Sequence, residues 1–243
     1  MYICFDIIYS VMKGKKMKLI FNKEYLINAI NIVSKAISGK TTNPLMECIL
    51  FDASSDNVLL SASDLEIGIE TKALANIVKK GKIALDAKLV YDIVRKLDAQ
   101  DHDITIESDD SYNTIISSNN AVFKIQGFDP EEFNYLPKIE KNKHIKLNQF
   151  TLKEVIRQTI FSVSLNDSNK MMSGVLFDIN EDIARFVALD GHRISIRNVK
   201  LKEKYDRSKV IVPSKTLSEL ARIISSNNEK EINIYFADNY ILF

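Results

Sequence analysis

The chain has 243 residues, 46% of them hydrophobic and 27% charged, and its 33 Lys and Arg against 32 Asp and Glu leave a formal net charge of +1. These proportions exclude a disordered or fibrous protein, and at roughly 100–150 residues per domain the length predicts two domains, each able to bury its own core. Near-neutral charge excludes a protein that is basic over its whole surface, but it leaves room for a basic face balanced by an acidic one.

Residues 1–12 (MYICFDIIYSVM) are apolar and are followed by Lys13-Gly14-Lys15-Lys16. A secretory signal carries its positive charge before the apolar run and a small-residue cleavage site after it, so the order here is reversed. The expectation is a leader over 1–16, either disordered or an upstream start, with the folded chain beginning near Met17; a short membrane-associating segment is the alternative. No stretch reaches the roughly 18–20 apolar residues that span a bilayer. Cys4 and Cys48 are isolated thiols without metal-ligand or redox spacing, which points to a reducing, cytoplasmic setting.

The first periodic segment places Leu26, Ile30, Val33 and Ile37 on one helical face,. Strands are predicted at Ile49 to Asp52, Val58 to Ala62 and Leu65 to Glu70. A second helix follows over Ala87 to Leu97, with Leu89, Val90, Ile93, Val94 and Leu97 apolar, and then more strands. Residues 134–145, with one Pro and several charges, read as a linker. Beyond it Leu152, Val155, Ile156, Thr159, Ile160 and Val163 mark another helix, with Thr151 and Glu154 spaced as a capping box,. A last helix is predicted over Ser214 to Ile224, with Leu217, Leu220, Ala221 and Ile224 apolar. The fold class is α+β, with two helices against antiparallel sheet in each half.

The two halves are copies of each other. Cys48-Ile49-Leu50-Phe51-Asp52-Ala53 recurs as Gly174-Val175-Leu176-Phe177-Asp178-Ile179, and Ala62-Ser63-Asp64 as Ala188-Leu189-Asp190. Ile83 to Lys88 recurs as Val210 to Lys215, and Asp103-Ile104-Thr105-Ile106 as Glu231-Ile232-Asn233-Ile234. Four blocks in one order with offsets drifting around 127 imply a duplicated domain. The expected domains are 17–140 and 145–243. Phe243 corresponds to about Ile115, so the second copy is expected to be incomplete, lacking a counterpart of the Ala121 to Ile125 strand and leaving an unpaired sheet edge.

Each predicted helix with a basic face also carries an acid: Lys88, Arg95 and Lys96 with Asp92; Lys215 and Arg222 with Glu219; Lys153 and Arg157 with Glu154. One reading is an ordinary solvated face. The other is a weakly positive surface that slides along phosphates, since strong binding needs many phosphate contacts. No zinc-finger spacing, basic zipper or trusted helix-turn-helix pattern is present. The histidines are His102, His144 and His192. Asp190-Gly191-His192-Arg193 has no nucleophile to complete a triad, and Asp and Gly there read as turn chemistry, matching Asp64-Leu65-Glu66 in the first copy,. No catalytic set, phosphate-binding glycine loop or metal-ligand cluster emerges.

From Met17 to Phe243 the chain resembles the bacterial DNA polymerase III beta subunit, the replicative sliding clamp. The resemblance rests on Ser63-Asp64-Leu65-Glu66-Ile67-Gly68-Ile69-Glu70, on Phe128 to Pro137, on Asn180 to Arg193, and on Val210-Ile211-Val212-Pro213. It implies a DNA-clamp fold, in a family built as a homodimeric ring of three-domain subunits, with the third domain missing here. It implies a non-catalytic processivity factor that encircles duplex DNA without reading sequence, with no cofactor and no metal. The implied partners are double-stranded DNA, the DNA polymerase III alpha subunit, the clamp loader, other clamp-binding polymerases and repair proteins, and a second copy of the subunit. The family's peptide pocket maps onto Met172, Leu189, Gly191, His192, Arg193 and Ile194; Leu189 departs from the usual Thr and Ile194 from Leu. DNA-facing positions map onto Lys40, Lys88, Lys215, Asn166 and Lys170, with Met171 where an aromatic would stack, and the helix cations Lys153, Arg157 and Arg222 join them. The dimer face maps onto Ile93, Leu97, Phe123 and Ile125. A ring cannot close in the same way without a third domain, so a non-ring adaptor or decoy that binds clamp-partner peptides through half a pocket stands as the alternative.

Overall fold

The computed structural model describes residues 15–37, 39, 41–97, 103–119, 121–164, 171–237 and 239–243. The chain divides between Leu136 and Pro137 into two units. Most of the expected leader lies outside the described residues.

In the first unit, β1 (Lys15–Phe21) runs into α1 (Lys23–Val33). Asn22 starts that helix, its side-chain oxygen accepting the Glu24 amide at 2.9 Å, which satisfies a donor the helix itself leaves open. Leu26, Ala29, Ile30 and Val33 are buried, so the 3.6-residue period chooses the face that turns inward,. Strands β2 (Cys48–Asp52), β3 (Val58–Ser63), β4 (Gly68–Ala73), β5 (Ala75–Lys79) and β6 (Lys82–Asp86) follow. Asp86 then caps α2 (Ala87–Lys96), accepting the Leu89 amide at 2.6 Å. Strands β7 (Ile104–Asp109), β8 (Asn113–Ser118) and β9 (Ala121–Gln126) complete the unit. Two sheets form, ordered β5-β1-β7-β8-β9 and β4-β3-β2-β6, with antiparallel neighbours throughout.

One apolar core joins both sheets to both helices through Leu19, Leu26, Phe51, Leu60, Ile83 and Val90. Phe21 meets Phe51 edge to face at 6.5 Å, a favoured aromatic geometry. The stretch from Phe128 to Leu136 straps the other face of β2 and β6. Phe128 exchanges backbone hydrogen bonds with Ala84, and Phe133 packs with Cys48, Leu50 and Ala84. Cys48 is buried beneath this strap, and its thiol donates to the Pro44 carbonyl at 3.3 Å. Burial, with the charges of Asp86 and Glu47 adding to it, pushes the thiol up to about 12,.

The second unit repeats the plan. β10 (His144–Asn148) leads into α3 (Gln149–Thr159), then β11 (Gly174–Leu189), β12 (Ile194–Pro213), α4 (Ser214–Ile223), β13 (Glu231–Phe236) and β14 (Ile241–Leu242). The cap of α3 is Asn148, which accepts from Phe150 and Thr151. The expected Thr151–Glu154 box is therefore not the start of this helix: Asn148 stands where Asn22 does in the first unit, and Glu154 is taken by Arg157. β11 and β12 pair antiparallel from Gly174↔Pro213 to Leu189↔Ile194. The register breaks around Glu181, which adopts φ 52°, and the partner jumps from Tyr205 to Lys200 while β11 moves from Glu181 to Ile183. The run thereby bends at the place where the first unit separates β2 from β3. Phe177 and Phe186 meet edge to face at 4.7 Å in the core, and Phe243 packs on Phe177 at 6.4 Å. Both units are thus the α+β arrangement of helices on antiparallel sheet that the sequence predicts.

Two sequence expectations shift. β4 starts at Gly68, not Leu65, because Asp64 holds a turn: its carboxylate oxygen accepts the Glu66 and Ile67 amides at 3.0 and 2.8 Å. Residues 134–143 have no regular structure, whereas His144 and Ile145 belong to β10.

Candidate nucleic-acid and partner-binding surfaces

The helix faces carry the cations. On α2, Ala87, Val90, Ile93 and Val94 turn inward, which leaves Lys88, Arg95 and Lys96 exposed. On α4, Leu217 is buried while Lys215 and Arg222 are exposed. Lys88 and Lys215, like Arg95 and Arg222, stand 127 residues apart, at equal places in the two copies. Three arginines on these faces are paired within their own helix. Arg95 Nη2 lies 3.4 Å from Asp92, Arg157 donates twice to Glu154 at 2.7 and 3.0 Å, and Arg222 Nη1 lies 2.7 Å from Glu219. The Arg157 guanidinium holds the Glu154 carboxyl below its usual range.

Lys153 has a further task. Its ammonium reaches the C-terminal end of α4, donating to the Ile224 carbonyl at 3.5 Å and to Ser226 Oγ at 3.1 Å. Lys23 does the same in the first unit, reaching the Arg95 and Leu97 carbonyls at the end of α2. Cations suit helix C-termini, where the last carbonyls are unpaired and the dipole is negative. Between α3 and α4 lies an open groove of about 390 Å³, with Phe150, Lys153, Arg157 and Ala221 in its walls. Lys40, Asn166 and Lys170 lie outside the described residues; Met171 is exposed.

The turn joining β11 to β12 gathers five of the six pocket residues. Asp190 Oδ1 accepts the His192 and Arg193 amides at 3.0 and 3.1 Å, while Arg193 Nε lies 2.8 Å from Asp190 Oδ2. These bonds hold the Asp190 carboxyl below its usual range and leave it serving the turn, not the His192 ring. Gly191 has φ 90°, a left-handed conformation that favours glycine; the first unit places Leu65 there at φ 74°,. The strand pairing puts Leu189 opposite Ile194 and Val187 opposite Ile196. Leu189, Ile194 and Ile196 are exposed while Ala188 and Phe186 face the core. This makes an apolar stripe on the outer face of the hairpin tip. Val187 and Ile196 are absent from the residues read from sequence; the alternation running back from Leu189 and on from Ile194 is the signal that finds them.

Met172, the sixth pocket residue, is half-buried on the segment entering β11. A short strap draws that segment toward the tip. Ser164 N–H donates to the Met172 carbonyl at 2.8 Å, and two residues earlier Ser162 Oγ lies 2.5 Å from Ser195 Oγ, beside Ile194.

The four residues expected on the dimer face differ in exposure. Ile93 and Leu97 are only 6% and 3% exposed and belong to the first unit's own core. The buried apolar stripe of α2 faces inward, and Leu89 is the apolar residue of this helix left exposed beside its polar side chains. On β9, an edge of the five-stranded sheet, Phe123 and Val122 are exposed, while Ile125 is half-buried against the core.

Among the described residues no cluster of His, Cys, Asp or Glu could hold a metal ion, and no helix is long and apolar enough to cross a membrane. The family model for the DNA polymerase III beta subunit N-terminal domain matches residues 17–137, and that for its central domain matches residues 146–243. A beta sliding clamp from Staphylococcus aureus is 34% identical over 235 residues, covering 93% of this chain and 62% of the relative. Two crystal structures share the fold: a candidate DNA polymerase III beta subunit from Eubacterium rectale (51% identity, TM-score 0.90, 93% of this chain and 61% of that one), and a DNA polymerase sliding clamp from Bacillus subtilis (32% identity, TM-score 0.89, 94% and 62%). The chain therefore spans about three-fifths of the length of the curated relatives it matches. With both domain models matched in order across two copies of one fold, the chain belongs to the DNA polymerase III beta-subunit family.

Proposed function

We propose that the protein serves as a DNA sliding clamp, a processivity factor that surrounds duplex DNA and tethers the replicative polymerase without catalysis of its own. Residues 17–140 and 145–243 act as its two clamp domains in the cytoplasm. The observation that carries this reading is the repetition of Lys88 as Lys215 and of Arg95 as Arg222 on matching helices of two like units. A surface that meets a regular phosphate backbone needs repeated cations and no base-reading element. A near-neutral whole chain agrees with a contact that slides. The apolar tip at Leu189, Ile194 and Met172 receives short apolar peptide segments of the polymerase alpha subunit, the clamp loader and other clamp-binding polymerases and repair proteins. Phe123 and Ile125 on β9 contribute to contact with a second subunit.

The test is the affinity of the full chain for a fluorescent duplex, followed by anisotropy across a salt series. The Lys88→Glu/Lys215→Glu variant should bind more weakly, and its slope of log K against log salt should be shallower by about 2, since each lost phosphate contact removes roughly one unit. An unchanged slope would mean that these helices do not face phosphate.

A further inference from the structure

Three arginines on the proposed DNA face are each held by an acid three residues earlier in their own helix: Arg95 by Asp92, Arg157 by Glu154 and Arg222 by Glu219. The pair on α2 and the pair on α4 are 127 residues apart for both the acid and the base, so the pairing is duplicated along with the fold. The arginine side chains are well exposed, at 58%, 67% and 67%, whereas those of the acids are more covered, at 39%, 31% and 19%. The arginines are therefore more open to solvent than the acids that pair with them. Arg95 also lies over the Tyr91 ring at 5.7 Å, which anchors its stem. α1 carries Asn28 and Asn31 where α3 carries Glu154 and Arg157, so both members of that pair are uncharged together.

We infer that Asp92, Glu154 and Glu219 weaken the grip on DNA by neutralising the three arginines, so that a phosphate must share each fork with a resident carboxylate. This rests on the reading of the helix faces as DNA-facing. An Arg fork takes one planar oxyanion bidentately, and Arg157 already gives both Nε and Nη2 to Glu154,. A phosphate arriving there displaces or shares that carboxylate, and the gain is the difference between two similar contacts. Exposed pairs of this kind are weak and screened by salt, so the exchange is easy in both directions. The surface then attracts a duplex without holding it in one register. Asp92, Glu154 and Glu219 are positioning residues in this account: they act through the arginines and touch no DNA themselves.

The experiment is the anisotropy series above with the full-length Asp92→Asn/Glu154→Gln/Glu219→Gln variant. Each change keeps the shape of the side chain and removes one negative charge. Duplex affinity near 50 mM salt should rise about tenfold, and the salt slope should steepen by about 1 to 3, according to how many freed arginines reach phosphate. The single Glu219→Gln variant, steepening the slope by about 1, serves should the triple variant fold poorly by circular dichroism. If Lys88→Glu/Lys215→Glu weakens binding while the amide variants bind as the parent does, the inference fails and the clamp reading stands. Weaker binding by the amide variants would also overturn it, because the acids would then be orienting the arginines for phosphate. If neither set changes binding, the DNA-facing reading itself fails.

Discussion

Replacing Gly174 with Ala adds one methyl group where β11 and β12 approach closely in the second unit. A Cβ at this position would lie 2.6 Å from the Val212 carbonyl oxygen, 2.7 Å from Ile211 Cγ2 and 3.1 Å from the Val212 carbonyl carbon. Carbon and carbonyl oxygen sit no closer than about 3.3 Å in ordinary contact, so β11 and β12 must part by roughly 0.7 Å. The obstacle is paired backbone, and a rotamer change relieves only the Ile211 contact. Gly174 is buried, it pairs with Pro213, and Val175 beside it pairs with Val212 in the same ladder. Overpacking of this kind costs about 2–3 kcal/mol. Gly191→Ala is the comparison. Nothing lies within 4 Å of its Cβ, and only the left-handed φ of 90° opposes the methyl, for about 1 kcal/mol. Urea unfolding followed by circular dichroism reads the total, and hydrogen exchange at Val175 to Ile179 and Val210 to Val212 reads the second unit by itself, since two units need not unfold together. Gly174→Ala within about 0.5 kcal/mol of the parent, or no worse than Gly191→Ala, would refute the close approach.

Three further outcomes are expected. With Cys4 replaced by Ser, the Cys48 thiol should resist alkylation at pH 8 in the native chain and react fully once the chain is unfolded in denaturant; rapid labelling of the native chain would show the strap from Phe128 to Leu136 to be open. Because burial raises this thiol from 9.0 to about 12, its contribution to stability is fully present below pH 9 and is lost as pH rises toward 12, where the unfolded chain ionises first. A Cys48→Ala variant should lose less stability between pH 9 and pH 11 than the parent, and an equal loss would contradict the assignment. At the hairpin tip, Met172→Glu or His192→Glu should abolish binding of an apolar clamp-binding peptide, measured by calorimetry, with the melting temperature unchanged; retained affinity would remove these residues from the partner site.

The core was readable because it follows a period. Leu26, Ile30 and Val33, or Leu152, Val155 and Ile156, repeat at helical spacing, and the burial of these side chains obeys that spacing directly. Capping was less readable, because the competing signals are local. Thr151 with Glu154 matches a capping box, yet Asn148 three residues earlier reaches the open amides first, and Glu154 goes to Arg157. The start of β4 was obscured for a similar reason. Leu65 is apolar and looks like strand, but Asp64 closes a turn around it and leaves it 66% exposed. Ile93 and Leu97 illustrate a different limit: apolar character does not say whether a residue covers its own core or a partner's. The arginine–acid spacings are visible in sequence, but which acid engages which fork depends on rotamers, and rotamers are set by packing.

The hairpin tip separates shape from selectivity. Its geometry is fixed by Asp190, whose carboxylate ties the His192 and Arg193 amides from within the turn. The apolar side chains that would meet a partner, Leu189, Ile194 and Ile196, point outward from the adjoining strands and take no part in those bonds. A mutation in the stripe therefore alters the exposed apolar surface while the frame that presents it stays put. In the first copy the same aspartate-held turn persists with Leu65 where the second has Gly191, although leucine is strained at that φ. A turn that forms with either residue at that φ is a durable scaffold, on which the outward side chains can be exchanged singly without first losing the fold.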